Sequence, residues 1–318
     1  MAFGLALGII LGQAAGHAQQ APGTLTMAYF PLGIVDVPVM VMQKLGLPQK
    51  YGVNVEFRQF ADYQSANDAW SYRRVTAMTV NVLQSSVHRI QRGYGLAVFP
   101  AFYATNKLLV RKDSPVRGFG DLRGKRLGIP SRLGGEVLAI RALLKKQGIA
   151  FDNPKEIDIR TAPPMVLPSL VAKGEVDAIV LFEPLAFRAE LGGLKPVQNL
   201  SEEWRRETGQ PLLFIALSVD DQFARSHPDA VRRFVRMYAE AVEYIRAHPD
   251  EAFQRYREMM KLTRPEDYEQ LKTIMVAHYT SRWDDEVIAG MIRYLELGVE
   301  AGLIPRAPRD LFTTEFAR

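Results

Sequence analysis

An α/β fold built in two lobes is predicted by three observations. Strand and helix patterns alternate twice along the chain, from 25 to 60 and from 107 to 182, and a purely helical texture follows residue 219. The length, 318 residues, exceeds what one small core needs and fits two lobes of about 150 residues each. Hydrophobic residues make up 47% and charged residues 24%, which excludes a disordered chain or a fibrous repeat.

The first twenty residues, "MAFGLALGIILGQAAGHAQQ", carry an apolar run from Phe3 to Leu11, then small residues ending in Gly16-His17-Ala18, and no acid. This reads as a signal peptide over 1–18. As a soluble helix it would lose about 1 kcal/mol at each of Gly4, Gly8 and Gly12. As a membrane span it falls short of the ~20 apolar residues required. The sequence has no cysteine, which excludes disulfides, thiolate metal sites and cysteine nucleophiles. An exported, cysteine-free chain points to the periplasm.

"LTMAYF" (25–30) is a strand, "DVPVMVMQKLG" a helix closed by Gly46, and "VNVEFRQF" (53–60) a second strand by its alternation. That is a βαβ unit, the building block of a parallel sheet. The pattern recurs with strands at 107–113 and 126–130, a helix from Gly135 to Gln147, a strand at 157–162, a helix in "PPMVLPSLVAKG", and the continuous apolar strand "VDAIVLF" (176–182). From Pro228 to Ala247, Val231, Phe234, Val235, Tyr238, Val242 and Ile245 repeat at helical spacing, and 249–261, 265–280 and 284–302 read as further helices. Apolar crossings near 104–110 and 212–219 bracket the second unit. Lobe one is therefore expected from 19–108 plus 217–318, with lobe two, 109–216, inserted in it and the crossings serving as a hinge.

Net charge is +5 and the pI is about 9.3. The basic residues are interleaved with acids, as in "EEWRRETGQ" and "AFQRYREMMK", so they read as solvated helix faces and no nucleic-acid partner is expected. The five histidines (17, 88, 227, 248, 278) form no HExxH pair, and neither G-x-S-x-G nor a Rossmann glycine fingerprint occurs. "GFGDLRGKR" lacks the phosphate-loop spacing, since Phe119 stands where glycine and Arg126 where Ser or Thr is needed. No catalytic residue, metal or cofactor is expected.

The stretch "GIPSRLGGEVLAIRALLKKQG" (128–148) raises a binding site instead. A helix start presents unpaired N–H groups and partial positive charge, Gly134 and Gly135 permit close approach, and Ser131 and Arg132 add a hydroxyl and a cation. The alternative is a plain strand-to-helix turn with Arg132 in water. Two loops stand at equivalent strand ends, "FPLGIVD" (30–36) with Phe30 and Asp36, and "TVNVLQSSVHRI" (79–90) with Asn81, Gln84 and Ser85. Asn81 or Ser85 either caps the next helix or faces a ligand. Glu183, after the buried strand and before Pro184, either caps a helix or meets a donor on the ligand.

"DLRGKRLGIP", "GGEVLAIRALLKKQGI", "LPSLVAKGEVDAIVLFEP" and "HPDAVRRFVRMYAEAVEYIRAHPDEA", in that order, resemble the substrate-binding proteins of nitrate, sulfonate and taurine ABC importers, a group that includes binders of thiamine-pyrimidine precursors. The resemblance implies the two-lobed periplasmic binding fold of the second type with C-terminal helices. It also implies closure around one solute and delivery to an inner-membrane permease with its cytoplasmic ATPase. By position it puts Phe30, Asn81, Gln84, Ser85, Ser131, Arg132, Gly134 and Glu183 in the cleft. Where the family usually has a Gly- and Pro-containing loop, this chain reads Asn81 to Ser86. If Arg132 and the helix start dominate, the solute is a sulfonate, nitrate or carboxylate; if Glu183 or Asp36 reaches the cleft, a zwitterion such as taurine or an aminopyrimidine is favoured. A monomeric receptor is expected. The rival is an enzyme on the same scaffold, of the pyrimidine-precursor synthase kind.

Overall fold

The computed structural model describes residues 23–317 apart from Leu32 and Leu133. The expected leader lies outside the described residues. The strands are β1 (Leu25–Tyr29), β2 (Val55–Gln59), β3 (Ala77–Asn81), β4 (Leu96–Phe102), β5 (Lys107–Arg111), β6 (Lys125–Ile129), β7 (Ile157–Thr161), β8 (Ala178–Leu181), β9 (Leu194–Asn199) and β10 (Ile215–Val219). They form two five-stranded sheets, ordered β2-β1-β3-β10-β4 and β7-β6-β8-β5-β9. This is the two-lobed α/β architecture, with one sheet per lobe.

The sheets are mixed, where the βαβ pattern alone predicts parallel ones. β1 pairs with β2 and β3 in parallel, but β10 runs antiparallel between β3 and β4. In lobe two, β6 is parallel to β7 and β8, and β5 is antiparallel between β8 and β9. The antiparallel member of each sheet is the strand on which the chain enters the lobe from the other one. It arrives from the side of the sheet where the other strands end, so it must run against them.

Lobe one carries α1 (Val37–Lys44), α2 (Leu47–Tyr51), α3 (Tyr63–Ser71) and α4 (Val82–Arg92); lobe two carries α5 (Gly135–Lys146), α6 (Leu167–Ala172), α7 (Leu185–Leu191) and α8 (Leu200–Thr208). The helical tail comprises α9 (Asp221–Ser226), α10 (Pro228–Ala247), α11 (Pro249–Met259), α12 (Pro265–His278) and α13 (Asp285–Glu300). Proline stands at the start of α10, α11 and α12, where its missing N–H costs nothing. All six apolar positions expected on α10 are buried, and the helix packs along α1. The helix expected in 163–174 is shorter, because Pro163 and Pro164 sit in the preceding turn and α6 starts at Leu167.

The core follows the sheets. Its main cluster runs from Leu25 and Met27 through Phe99, Phe234 and Leu295 and continues into lobe two at Leu127 and Ile140, while Leu109, Leu167, Val171 and Ile179 form a smaller cluster on the other face of the second sheet. The chain crosses between lobes at 103–106 and 209–214, and these crossings pair through Ala104 N, which donates to Leu212 O at 2.9 Å. Asp220 fixes the return into lobe one. Its carboxylate accepts from Gln222 N and Phe223 N, at 2.7 and 3.0 Å, and from Arg73 Nε at 2.9 Å. Arg73 has a left-handed φ of 55° as the residue that closes α3, with Arg73 N donating to Trp70 O and Arg74 N to Ala69 O. Replacing Asp220 by Ala removes a helix cap and a paired anion together and should lower unfolding stability by about 2 kcal/mol in urea titration.

Candidate functional site

In both sheets the parallel strands end toward the gap between the lobes, and three side-chain groups converge there. From lobe one comes the start of α4. Asn81 ends β3 and caps the helix, its Oδ1 accepting from Leu83 N at 2.9 Å, while its Nδ2 lies against Gly135. Gln84, in the first turn, accepts from the Tyr63 hydroxyl at 2.7 Å and likewise keeps its amide N–H groups. Phe30, at the end of β1, packs edge-on against the Tyr63 ring with centroids 5.7 Å apart.

From lobe two comes the start of α5. Gly134 is its N-cap and supplies no side-chain acceptor. Gly135 fits only because it lacks a side chain: a Cβ there would overlap the Phe214 ring and lie 2.9 Å from Asn81 Nδ2. The two helix starts thus meet where the lobes touch. The third group comes from the helical tail and the second crossing. Tyr294 on α13 donates its hydroxyl to Gly135 O and stacks on Phe214, with centroids 5.9 Å apart.

Glu136, the second residue of α5, is the ionisable group at this junction. It is 8% exposed, and burial pushes its carboxyl up to about 7. Burial first, and the Glu136 charge second, raise the hydroxyls of both Tyr63 and Tyr294, which places the carboxyl between the lobes.

Phe30, Asn81, Gln84 and Gly134 therefore meet at the gap. Ser131 lies on the exposed turn before α5, and Ser85 is buried in the first turn of α4 with no hydrogen-bond partner for its hydroxyl among the described residues. The remaining three expected residues turn to partners inside their own lobes. The Arg132 guanidinium donates to Ile159 O at 3.2 Å, sits 3.7 Å from Asp152 and lies over the Phe151 ring. Asp36 accepts from Tyr256 Oη at 2.7 Å and Arg255 Nη1 at 3.0 Å, on α11. Glu183 is fully buried: Lys107 Nζ lies 2.7 Å from it and Phe187 N donates to it at 2.9 Å. In each case an acid or base next to a strand end has a nearer opposite charge on its own scaffold.

Tyr63, Glu136, Phe214 and Tyr294 join the site without having been singled out from sequence. Glu136 in "GGEVLAI" reads as an ordinary acid in a helix's first turn, and the aromatic residues come from positions far apart in the chain. A separate hollow of about 420 Å³ opens at the hinge edge, walled by Tyr103, Asn199, Ser201, Arg205 and His278, and shares no residue with this junction.

The NMT1/THI5-like family profile matches residues 36–252, more than half of the chain. The chain belongs to the NMT1/THI5-like family. A protein of Brachyspira hyodysenteriae named as an ABC transporter periplasmic binding protein is 24% identical over 246 residues, 73% of this chain and 68% of that protein. The alkanesulfonate-binding protein SsuA from Xanthomonas axonopodis pv. citri, solved with MOPS bound, superposes with a TM-score of 0.73 at 15% identity, covering 93% of this chain and 99% of that one. The desulfurization enzyme DszB superposes at 0.68 with 16% identity over 92% of this chain and 97% of its own. These likenesses fix the fold of this family member as the periplasmic-binding-protein fold. Relatives of ABC type are named as binding proteins, and an enzyme shares the scaffold.

Glu183 offers a direct check that its role is internal. Its carboxyl is raised by burial in spite of Lys107. Replacing Lys107 by Met should destabilise the protein by about 3 kcal/mol at pH 8. The deficit should shrink at pH 5. Without the cation the folded state holds a proton that the unfolded state releases, so stability falls as pH rises. Urea titrations at the two pH values measure both.

Proposed function

We propose that this family member is the solute-binding component of an ABC importer, working in the periplasm as a monomer and delivering a small organic anion or zwitterion to an inner-membrane permease with a cytoplasmic ATPase. In this reading residues 19–108 and 217–318 form one jaw, 109–216 the other, and the two crossings flex between them. The observation that carries it is the meeting of two helix starts, one from each lobe, at Gly135. The amides of Asn81 and Gln84 stand on one side, the uncapped start of α5 on the other, and Phe30, Tyr63 and Phe214 beside them. Small-solute sites are built this way, mostly apolar with a few aimed polar groups. Micromolar binding needs about 8 kcal/mol, within reach of a few charge-assisted bonds and partial burial of one ring.

The relatives support this reading, one being named as a periplasmic binding protein of ABC type and another as alkanesulfonate-binding with MOPS bound. The same fold also occurs in a desulfurization enzyme, so the fold alone does not assign the chemistry.

Melting curves of the purified protein with sulfonates, nitrate, taurine, MOPS, aromatic carboxylates and aminopyrimidines test the proposal. A ligand at 100 times its dissociation constant should add about 2.7 kcal/mol of stability and be recovered unchanged. Flat curves throughout, or conversion of a bound compound into product, would remove the receptor reading, the second outcome in favour of an enzyme.

A further inference from the structure

The hollow of about 420 Å³ at the hinge edge is walled by both lobes and by the chain that joins them. Asn199, Glu202 and Arg205 come from the end of β9 and from α8, Ala277 and His278 from the end of α12, and Tyr103 from the first crossing. Tyr103 N donates to His278 O at 2.8 Å, which ties the crossing to α12. The volume is that of a small-molecule site.

The side chains that line it carry a surplus of donors. Arg205 is exposed on α8, and among the described residues its guanidinium has neither an ion pair nor a hydrogen bond. Its neighbour Arg206 is instead held by Glu203. Asn199 caps α8, its Oδ1 accepting from Ser201 N at 2.8 Å and Glu202 N at 3.2 Å. The first amides of that helix are therefore satisfied, and the donors left over are those on Asn199 Nδ2. Burial first, and the charge of Lys107 second, push the His278 imidazole down to about 4, so at neutral pH it adds a ring to the wall and no charge. Tyr103 and Ala277 supply apolar surface. Glu202 stands exposed beside the hollow, with its carboxylate in water.

The sheet order places the hollow on the far side of the hinge from the junction at Gly135. In lobe one, β10 and β4 lie beyond β3, whose end carries Asn81; in lobe two, β5 and β9 lie beyond β6 and β8, and β6 leads into α5. The crossings run from β4 to β5 and through 209–214 into β10, while the hollow opens at the ends of β4 and β9, the outermost strands on that side. The crossings thus stand between the two places. A rotation about them that draws Gly135 away from Phe214 brings α8 toward α12 and narrows the hollow.

We propose that this hollow is a second binding site, separate from the cleft, for a small aromatic carboxylate: Arg205 pairs with the carboxylate, Asn199 donates to it, the ring lies against Tyr103 and Ala277, and the occupant opposes opening of the lobes. A guanidinium meets a carboxylate with two parallel N–H donors, a match that a neutral group of the same shape cannot make. A molecule held between α8 and α12 favours the closed arrangement over the open one, so by linkage a solute that closes the cleft is held more tightly as well. The site stands apart from the solute-receptor reading, and its effect on closure uses the same two crossings.

The test uses benzoate and its neutral isostere benzamide on the purified protein. In titration calorimetry benzoate should bind at least tenfold tighter than benzamide, and in Arg205→Gln the two should come within threefold. Closure is read by energy transfer. The sequence has no cysteine, so Gln64→Cys and Met165→Cys carry a dye pair at exposed positions that follow β2 and β7, the edge strands farthest from the hinge. Transfer should rise as benzoate saturates. Ala277→Phe, at an exposed wall position, should fill the hollow, abolish benzoate binding and raise transfer by itself. No binding of benzoate, equal binding of benzamide, or a gap unchanged in Arg205→Gln overturns the site. Transfer that stays level or falls as benzoate saturates overturns its effect on closure. Each of these results leaves the receptor reading to the melting curves with cleft solutes.

Discussion

The absence of a side chain at Gly135 is the condition on which the arrangement of this protein depends. Because that position ends at Cα, the start of α5 in lobe two reaches the Phe214 ring and the Asn81 amide, and Tyr294 reaches the Gly135 carbonyl. Any larger residue would hold the lobes apart at the point where the two helix starts face one another. The contact joins the inserted lobe to the second crossing and to α13, so elements distant in sequence meet at one backbone atom. A packing requirement and the geometry of the cleft are therefore the same requirement.

Charge is distributed to match. Acids and bases that serve the scaffold are paired within it: Asp36 with Arg255 and Tyr256, Glu183 with Lys107, Arg132 with Asp152 and a carbonyl. At Asp36 and Glu183 burial still leaves the carboxyl raised although these partners pull it down, and the Arg132–Asp152 pair lies at the surface. Glu136 is buried with no Lys, Arg or His paired to it among the described residues, and burial raises its carboxyl to about 7. Buried charge that the fold leaves uncompensated is where a ligand has most to contribute, because completing it brings the interaction energy of a low-dielectric site without displacing an existing bond.

Local chemistry made most elements legible in the sequence. β1 and β2, the helix at 37–44, and α10 with its apolar stripe follow from period and punctuation, and Asn81 follows from capping chemistry. What stayed hidden depends on placement rather than period. Nothing in the residues of β5 or β10 states that they run against their neighbours, since that direction is set by the path of the chain between lobes. Arg132 and Glu183 carry the residue types a ligand site needs, and only the position of Asp152, Phe151 and Lys107 shows that the scaffold uses them. Glu136 was masked for the opposite reason: an acid in a helix's first turn is favoured by the dipole alone, so its burial against the other lobe leaves no mark in the sequence.

Whether the lobes meet through Gly135 is tested most directly by solution X-ray scattering of Gly135→Val against wild type. The variant should keep both lobes folded but have the larger radius of gyration, and no solute should compact it. Superimposable scattering from the two proteins, with solute binding retained in the variant, would contradict it.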